Sequence, residues 1–511
     1  MSHRRPGSYC LTTHRRREHR RRISPSRVVQ LELLEERCLL TGELGFLEQQ
    51  IDEQNGVDGL NFTFATTTSP DGKHVYAVGG VSNVGGNDDN AIAVFSRDET
   101  TGALTFQQVL FDDDDTGDPG TADGLLSARD VKVSPDGLYV YTAGSGDDGI
   151  GIFSRNPTTG LLTYVSAVFD GGAINGLNGA TSIAISPDGT SLYVAGRDDD
   201  AVAVFSRNLS TGALTFVEFE ADTVGGVTGL DRILSVKVSP DGKFVYTAAG
   251  GNRNFTGADA IAVFARDSGT GALSFVSSYA DGDTQGGNTI AGLDDLSDLV
   301  ISPDGKYVYG AGNAFDVNNP DPWMAVFSRD EVTGELTWTT VINDFNPGCE
   351  FPSTSNPGES YYAMTPDGSH LYVTMGAQIV GFTRDAMTGA LTFDSCFCGL
   401  DNLGHLFASF DKLSVDPSGR HIYVSNRATD SVIVLTTDLD FGDAPDGPYD
   451  TLRASDGARH VATGPTLGAA RDIDLDGQSS VDAGATGTTG DDGDGGDDED
   501  CLANPVTDLM L

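Results

Sequence analysis

Cysteine is scarce in this chain. There are six in 511 residues, and Cys10 and Cys38 both fall within the first 40 positions. That excludes a small domain held together mainly by disulfides. Long apolar runs are absent: no stretch of 18 apolar residues occurs, so no membrane-spanning helix is expected. Positive charge is also short. Lys and Arg total 31 against 75 Asp and Glu, for a net charge of −44. The imbalance is uneven. Residues 1–40 carry ten Arg and four Glu, so the remaining chain, with 21 basic and 71 acidic residues, has a net charge of −50. Such a body should repel nucleic acid and anionic membrane surfaces, and cations are its more natural partners.

What the chain does have is a repeat. SPDG occurs at Ser69, Ser134, Ser186, Ser239 and Ser302, followed by TPDG at Thr365 and DPSG at Asp416. The copies lie 65, 52, 53, 63, 63 and 51 residues apart. Residues 180–216 show one unit most clearly. ATSIAI runs into SPDG, where Pro187 presets φ, Asp188 favours a turn and Gly189 allows positive φ. SLYVAG, AVAVFSR and ALTFVEF then follow as three more strands. Four antiparallel strands in about 50 residues make one propeller blade. AVAVF and SIAI are apolar on both faces, as expected of sheets covered on both sides. A chain of 511 residues exceeds one ordinary core, but each blade interface can serve as its own.

The hairpin between third and fourth strands recurs at Val94, Ile152, Val204, Val263, Val326 and Gly381. That is six hairpins for seven turns. The last blade has a third strand, Ser431 to Asp438, with no TGALTF after it. An orphan equivalent, TGELGFLE, stands at Thr41 to Glu48 with no blade before it. We therefore expect an all-β, seven-bladed propeller whose ring is closed by an N-terminal strand. A monomer is the expected state.

Together, SPDG, the following VYVAG-type strand, AVAVFSRD and TGALTF resemble the seven-bladed lactonase-like propellers, which include the 6-phosphogluconolactonase type and muconate-cycle enzymes. The resemblance covers residues 41–440. It implies a ligand site at one mouth of the central channel, where His, Arg and acidic residues handle a lactone. Counting four residues back from each turn puts Ala65, Asp130, Ser182, Ser235, Asp298, Tyr361 and Lys412 there, with Arg129, Arg232, Glu359, His405 and Asp411 as neighbours. Lactone hydrolysis needs a base or metal to activate water and a cation or donor for the oxyanion. His405 with Arg129 or Lys412 could supply both. The alternative is a polar rim of structural ion pairs, Arg129 with an acid of the adjacent blade among them. Asp112 to Asp115 could hold a cation or form a solvated acidic loop. His74, His370 and His421, at or just after turns, are expected to be solvated.

The flanks carry separate signals. Leu31-Glu-Leu-Leu-Glu-Glu-Arg-Cys-Leu-Leu40 resembles the LEPR-XLL motif of exported bacterial proteins and sits directly after the Arg-rich tract. It implies an extracellular or cell-surface location. In an exported protein, Cys349 could pair with Cys396 or Cys398, and free thiols are the alternative. From Asp440, DFGDAPD resembles a segment of bacterial surface proteins found near GEVED-type domains. Inside it, Asp472, Asp474 and Asp476 alternate ahead of Gly477, as in calcium loops, with Asp482 one place short of the usual closing acid. These four are the candidate Ca²⁺ ligands, and no other cofactor is indicated. The expected domains are a leader over 1–40, the propeller over 41–440 and an acidic segment over 441–511. The first reading of function is an exported binding or scaffold module with an unknown ligand. The alternative is a lactonase-like hydrolase of the 6-phosphogluconolactonase type.

Overall fold

The computed structural model describes residues 44–80, 89–112, 122–250, 259–312, 324–342, 359–376, 378–398, 410–437, 439–441 and 459–461. The leader, His405, Cys349 and the candidate calcium ligands Asp472, Asp474, Asp476 and Asp482 lie outside these residues. Among the described residues no helix is long and apolar enough to cross a membrane.

Seven four-stranded antiparallel sheets form the ring. Blades 1 to 6 each run in chain order. Their innermost strands are Thr63–Thr68, Ala128–Val133, Ala180–Ile185, Ile233–Val238, Asp298–Ile301 and Tyr361–Met364. Blade 7 takes three strands, Leu413–Val415, His421–Asn426 and Ser431–Thr436, from the end of the ring. Its fourth, Gly45–Ile51, comes from the beginning and pairs with Ser431–Thr436 from Gly45–Thr436 to Ile51–Ser431. The closure expected from the orphan strand is therefore present, and it covers the edge that Ser431–Thr436 would otherwise leave open.

Each turn is held by its first residue. Ser69 Oγ donates to Asp71 at 2.5 Å and accepts the His74 N–H at 3.0 Å. Thr365 and Asp416 do the same work, accepting the N–H groups of His370 and His421 at 3.0 and 2.9 Å. That is why Thr and Asp can stand where the other copies have Ser: only a short side chain with an acceptor oxygen is needed.

Seven separate apolar clusters lie between neighbouring blades. Tyr76, Val78, Ile92 and Val94 of blade 1 pack on Val131, Val140 and Phe153 of blade 2, and the other clusters repeat the pattern. A second device ties the blades at the turn end. Arg155 of blade 2 donates from Nε to the Tyr76 hydroxyl at 2.7 Å, from Nη1 to the Gly137 carbonyl at 2.8 Å and from Nη2 to Asp71 at 2.9 Å. The Tyr76 hydroxyl in turn donates to the Gly160 carbonyl. Arg97, Arg207, Arg266, Arg329 and Arg384 repeat this clasp on the preceding blade.

This clasp corrects one expectation. His74 and His421 are buried, at 3 % and 1 % exposure, beneath the arginine of the following blade. Arg155 Nη2 lies 2.7 Å from His74 Nδ1, and Arg97 Nη2 lies 2.8 Å from His421 Nδ1. A position just after a turn is exposed in a lone hairpin, but here the next blade covers it. His370 is half-buried.

Candidate active site at the channel mouth

At the end opposite the turns, the inner strands of blades 1 to 4 begin with a sharp change of direction. Phe62, Ser127, Gly179 and Arg232 have φ of 54°, 52°, 66° and 55°. Their N–H groups are held by Asp430, Asn90, Asp148 and Asp200 of the preceding blade, at 2.8, 2.9, 2.8 and 2.7 Å. Two residues later, the first four inner strands each carry a β-bulge, at Phe64, Arg129, Thr181 and Leu234. A bulge leaves one residue unpaired and re-aims its side chain. All four bulge residues line the mouth, joined by Arg197, Ser297, Glu359, Tyr361 and Lys412.

Counting four residues back from each turn reaches Tyr361 and Lys412 in this lining, and in blades 1 to 5 it reaches the residue one place deeper. Ala65, Asp130, Ser182, Ser235 and Asp298 are buried just below the mouth. Here Asp130 and Asp298 form ion pairs. Asp130 bonds Lys132 at 2.9 Å and lies 3.6 Å from Lys412. Asp298 bonds Lys237 at 2.8 Å and accepts the Ser235 hydroxyl at 2.5 Å. Burial pushes the Asp130 carboxyl up, but the charges of Lys132, Lys412 and Lys237 hold it well below the usual carboxylate range. The same burial lowers Lys412 to about 8, aided by Lys132 and Lys237 and opposed by Asp130.

Above this layer sits a group of cations and aromatics. The Phe64 ring lies under Arg129 at 4.3 Å and beside Arg427 at 5.4 Å, and meets Tyr361 edge-on at 6.1 Å. Lys412 lies 5.7 Å from the Tyr361 ring and donates to the Thr181 carbonyl at 3.1 Å. Arg129 therefore sits on an aromatic face, and no carboxylate lies within ion-pair distance of it among the described residues. The Tyr361 hydroxyl donates to Glu359 in a short hydrogen bond. Asp411 is 3.4 Å from Arg427, yet burial, with Glu359 adding to it, pushes its carboxyl up to about 7. Arg232 anchors its own loop through its N–H, and its Nε is buried without a hydrogen-bond partner among the described residues. Arg197 bonds Asp198 at 2.7 Å. Composition gave no sign of this basic mouth, because a chain of net charge −44 hides a local cluster of Arg and Lys.

Elsewhere, Asp112 is buried and accepts the Leu125 N–H at 2.9 Å. Carboxylate oxygens of Asp52, Asp58 and Asp89 lie within 4.8 Å of one another. Burial raises Asp52 and Asp89, the latter to about 6, and the charge of the neighbouring acids adds to it.

The profile of the family described as "Lactonase, 7-bladed beta-propeller" matches residues 40–172 and 112–228. Residues 40–228 are therefore similar to the lactonase-like seven-bladed β-propellers, and the ring has the seven blades of that description. An 89-residue stretch is 32% identical to 6-phosphogluconolactonase of Formosa agariphila, covering 17% of this chain and 24% of that protein, so the match spans about a quarter of the relative's length. Among solved structures, Kuenenia stuttgartiensis hydrazine synthase aligns with a TM-score of 0.50 at 18% identity, over 76% of this chain and 99% of that one. The periplasmic gluconolactonase of Pseudomonas aeruginosa aligns at 0.49 and 19% identity, over 73% and 92%. At 18% identity the likeness to the hydrazine synthase chain shows the fold alone.

Proposed function

We propose that this lactonase-like propeller hydrolyses the lactone of an anionic sugar at its channel mouth. One observation carries the reading. Arg129, Arg197, Lys412 and Glu359 converge on a single cavity of about 20 Å³ at the mouth, room for one water. Lys412, lowered to about 8, can act as the base that takes a proton from this water. Arg129 and Arg197 offer charge to the developing oxyanion or to an anionic substituent. A basic mouth in an otherwise acidic body favours a phosphorylated or carboxylated lactone over a neutral one. The name of the Formosa relative points to the same substrate class.

The test is a panel of phosphorylated and neutral sugar lactones assayed with the full chain. Lys412→Met should lower kcat/KM by about 10²–10⁴ and remove the rise of rate through pH 8. Arg129→Ala should raise KM more for phosphorylated than for neutral lactones. No turnover above the blank on any lactone would overturn the hydrolase reading. The narrowness of the cavity favours a second reading, a binding module without turnover, and ligand binding without product in the same panel would select it.

The proposed location is extracellular or at the cell surface. The LEPR-XLL-like motif at Leu31 to Leu40 supports it, as does Cys396, which is buried and disulfide-bonded. Recovery of the protein solely from the cytoplasmic fraction of its producing cells would refute this placement.

A further inference from the structure

Lys412 belongs to blade 7, but the groups that receive its ammonium do not. Its Nζ donates to the Thr181 carbonyl of blade 3 at 3.1 Å and lies 3.6 Å from Asp130 of blade 2. Blade 7 packs against blades 6 and 1. The side chain therefore reaches past its neighbours and across the central channel. A flexible four-carbon stem has many rotamers, and it keeps one extended pose when its end is held.

Asp130 is fixed firmly enough to hold it. The residue is 1 % exposed. Its Oδ1 accepts the Val131 N–H at 3.0 Å and Lys132 Nζ at 2.9 Å. Its Oδ2, the oxygen that faces Lys412, also accepts the Ile183 N–H of blade 3 at 2.9 Å. Two N–H groups from two blades thus pin the carboxylate in one orientation. Other charged and titratable groups face Lys412 as well. Lys132 comes from blade 2, Lys237 from blade 4 and Asp298 from blade 5. Arg129, Arg197, Glu359 and Tyr361 stand on the mouth side. Among the described residues, Asp130 is the acid within ion-pair distance of Lys412. Lys132 shares that acid and carries the same charge as Lys412, so the two compete for it.

We propose that Asp130 is a positioning residue for Lys412: it holds the amine across the channel, and together with Lys132 it sets the pH at which Lys412 can take a proton. The inference rests on Lys412 acting as the base at the mouth. It gives the layer beneath the mouth a part in the reaction although that layer touches no substrate. An opposite charge beside an ammonium favours its charged form, and a like charge disfavours it. Removing the charge of Asp130 must therefore move the titration of Lys412 down, and removing that of Lys132 must move it up. A role confined to holding the blades together predicts no such opposed pair of shifts.

Competitive acetylation of the full chain with trace acetic anhydride across a range of pH tests the proposal. Mass spectrometry of the Lys412 peptide gives the titration midpoint. Asp130→Asn should lower that midpoint by about one unit or more. It should also lower kcat on the alkaline plateau by about tenfold or more with KM little changed, because the amine is no longer aimed. Lys132→Met, a change at a side chain that is 35 % exposed, should raise the midpoint and move the pH–rate profile the same way. Should Asp130→Asn fail to fold, Lys132→Met decides alone. A midpoint that stays at the parent value in either folded variant, or shifts of the same sign in both, would overturn the assignment. The midpoints are read without lactone. Absence of turnover would therefore overturn the hydrolase reading, and the midpoints would still decide what Asp130 does to Lys412.

Discussion

The repeated clasp allows one substitution to be made in two copies of the same surroundings. Arg97→Met and Arg266→Met each remove a guanidinium bonded to a tyrosine hydroxyl, a glycine carbonyl and an aspartate. The copies differ in what the acid can do afterwards. The side chain of Asp416, partner of Arg97, is 1 % exposed, whereas that of Asp188, partner of Arg266, is 43 % exposed. Asp416 would be left charged and dry, a situation that costs about 3–5 kcal/mol when one member of a buried pair is removed. Asp188 can take water in place of the guanidinium, so its loss should cost about 1–2 kcal/mol. The tyrosine and carbonyl contributions are common to both and cancel, and the bonds of Arg266 to the Thr190 and Ser191 hydroxyls offset that of Arg97 to His421, leaving about 2 kcal/mol. Urea unfolding midpoints of the two variants against the parent read this directly. Acid supplies a further check. Burial pushes the Asp416 carboxyl up, but bonds from His421 and Ser418 and the charge of Arg97 hold it well below the usual range. Its contribution is therefore present above about pH 4 and lost as pH falls through the depressed folded value. Without Arg97 the carboxyl protonates more readily, so the deficit of Arg97→Met should shrink on going from pH 7 to pH 4. Equal losses in the two variants, or a larger loss for Arg266→Met, would refute the burial argument.

Two further outcomes are expected. Asp411, raised by burial to about 7, favours the folded state below pH 4, and that advantage is lost as pH rises toward 7; Asp411→Asn should thus gain on the parent by up to about 4 kcal/mol between pH 4 and 8, and a pH-independent difference would sink this. Deleting residues 41–49 removes most of the strand Gly45–Ile51 that completes blade 7, so Tm should fall, and an unchanged melt would show that the closure contributes nothing.

The fold was legible because its signals are local. A turn needs Ser, Pro, Asp and Gly in order, a doubly covered strand needs an apolar run, and an orphan strand at one end needs a partner at the other. The mouth was only half legible. Tyr361 and Lys412 follow from counting back along a regular strand, but Arg129 reaches the mouth through a bulge. Nothing in RDVKV announces a bulge, because its cause lies in the neighbouring blade: Asn90 fixes the backbone of Ser127 two residues upstream. Arg197 was missed for a related reason, since it comes from the loop after the second strand of blade 3. The buried histidines were misread because burial at a turn is conferred by the next copy of the repeat.

The two ends of the ring follow opposite rules, and this bears on where chemistry can arise. At the turn end, each arginine satisfies three acceptors in two blades, so the residues there are held nearly constant. At the mouth end, backbone N–H groups are secured by Asp or Asn from the preceding blade, so the bulge backbone does not dictate which side chain it carries. Phe64, Arg129, Thr181 and Leu234 differ completely in chemistry although their backbones match. A scaffold that fixes direction but not identity can gather Arg129 beside Lys412 and Glu359 without weakening any blade. It follows that Arg129→Ala should alter substrate handling with little loss of stability, whereas Arg97→Met should do the reverse. If both substitutions lowered stability and turnover together, the separation of the two ends would be wrong.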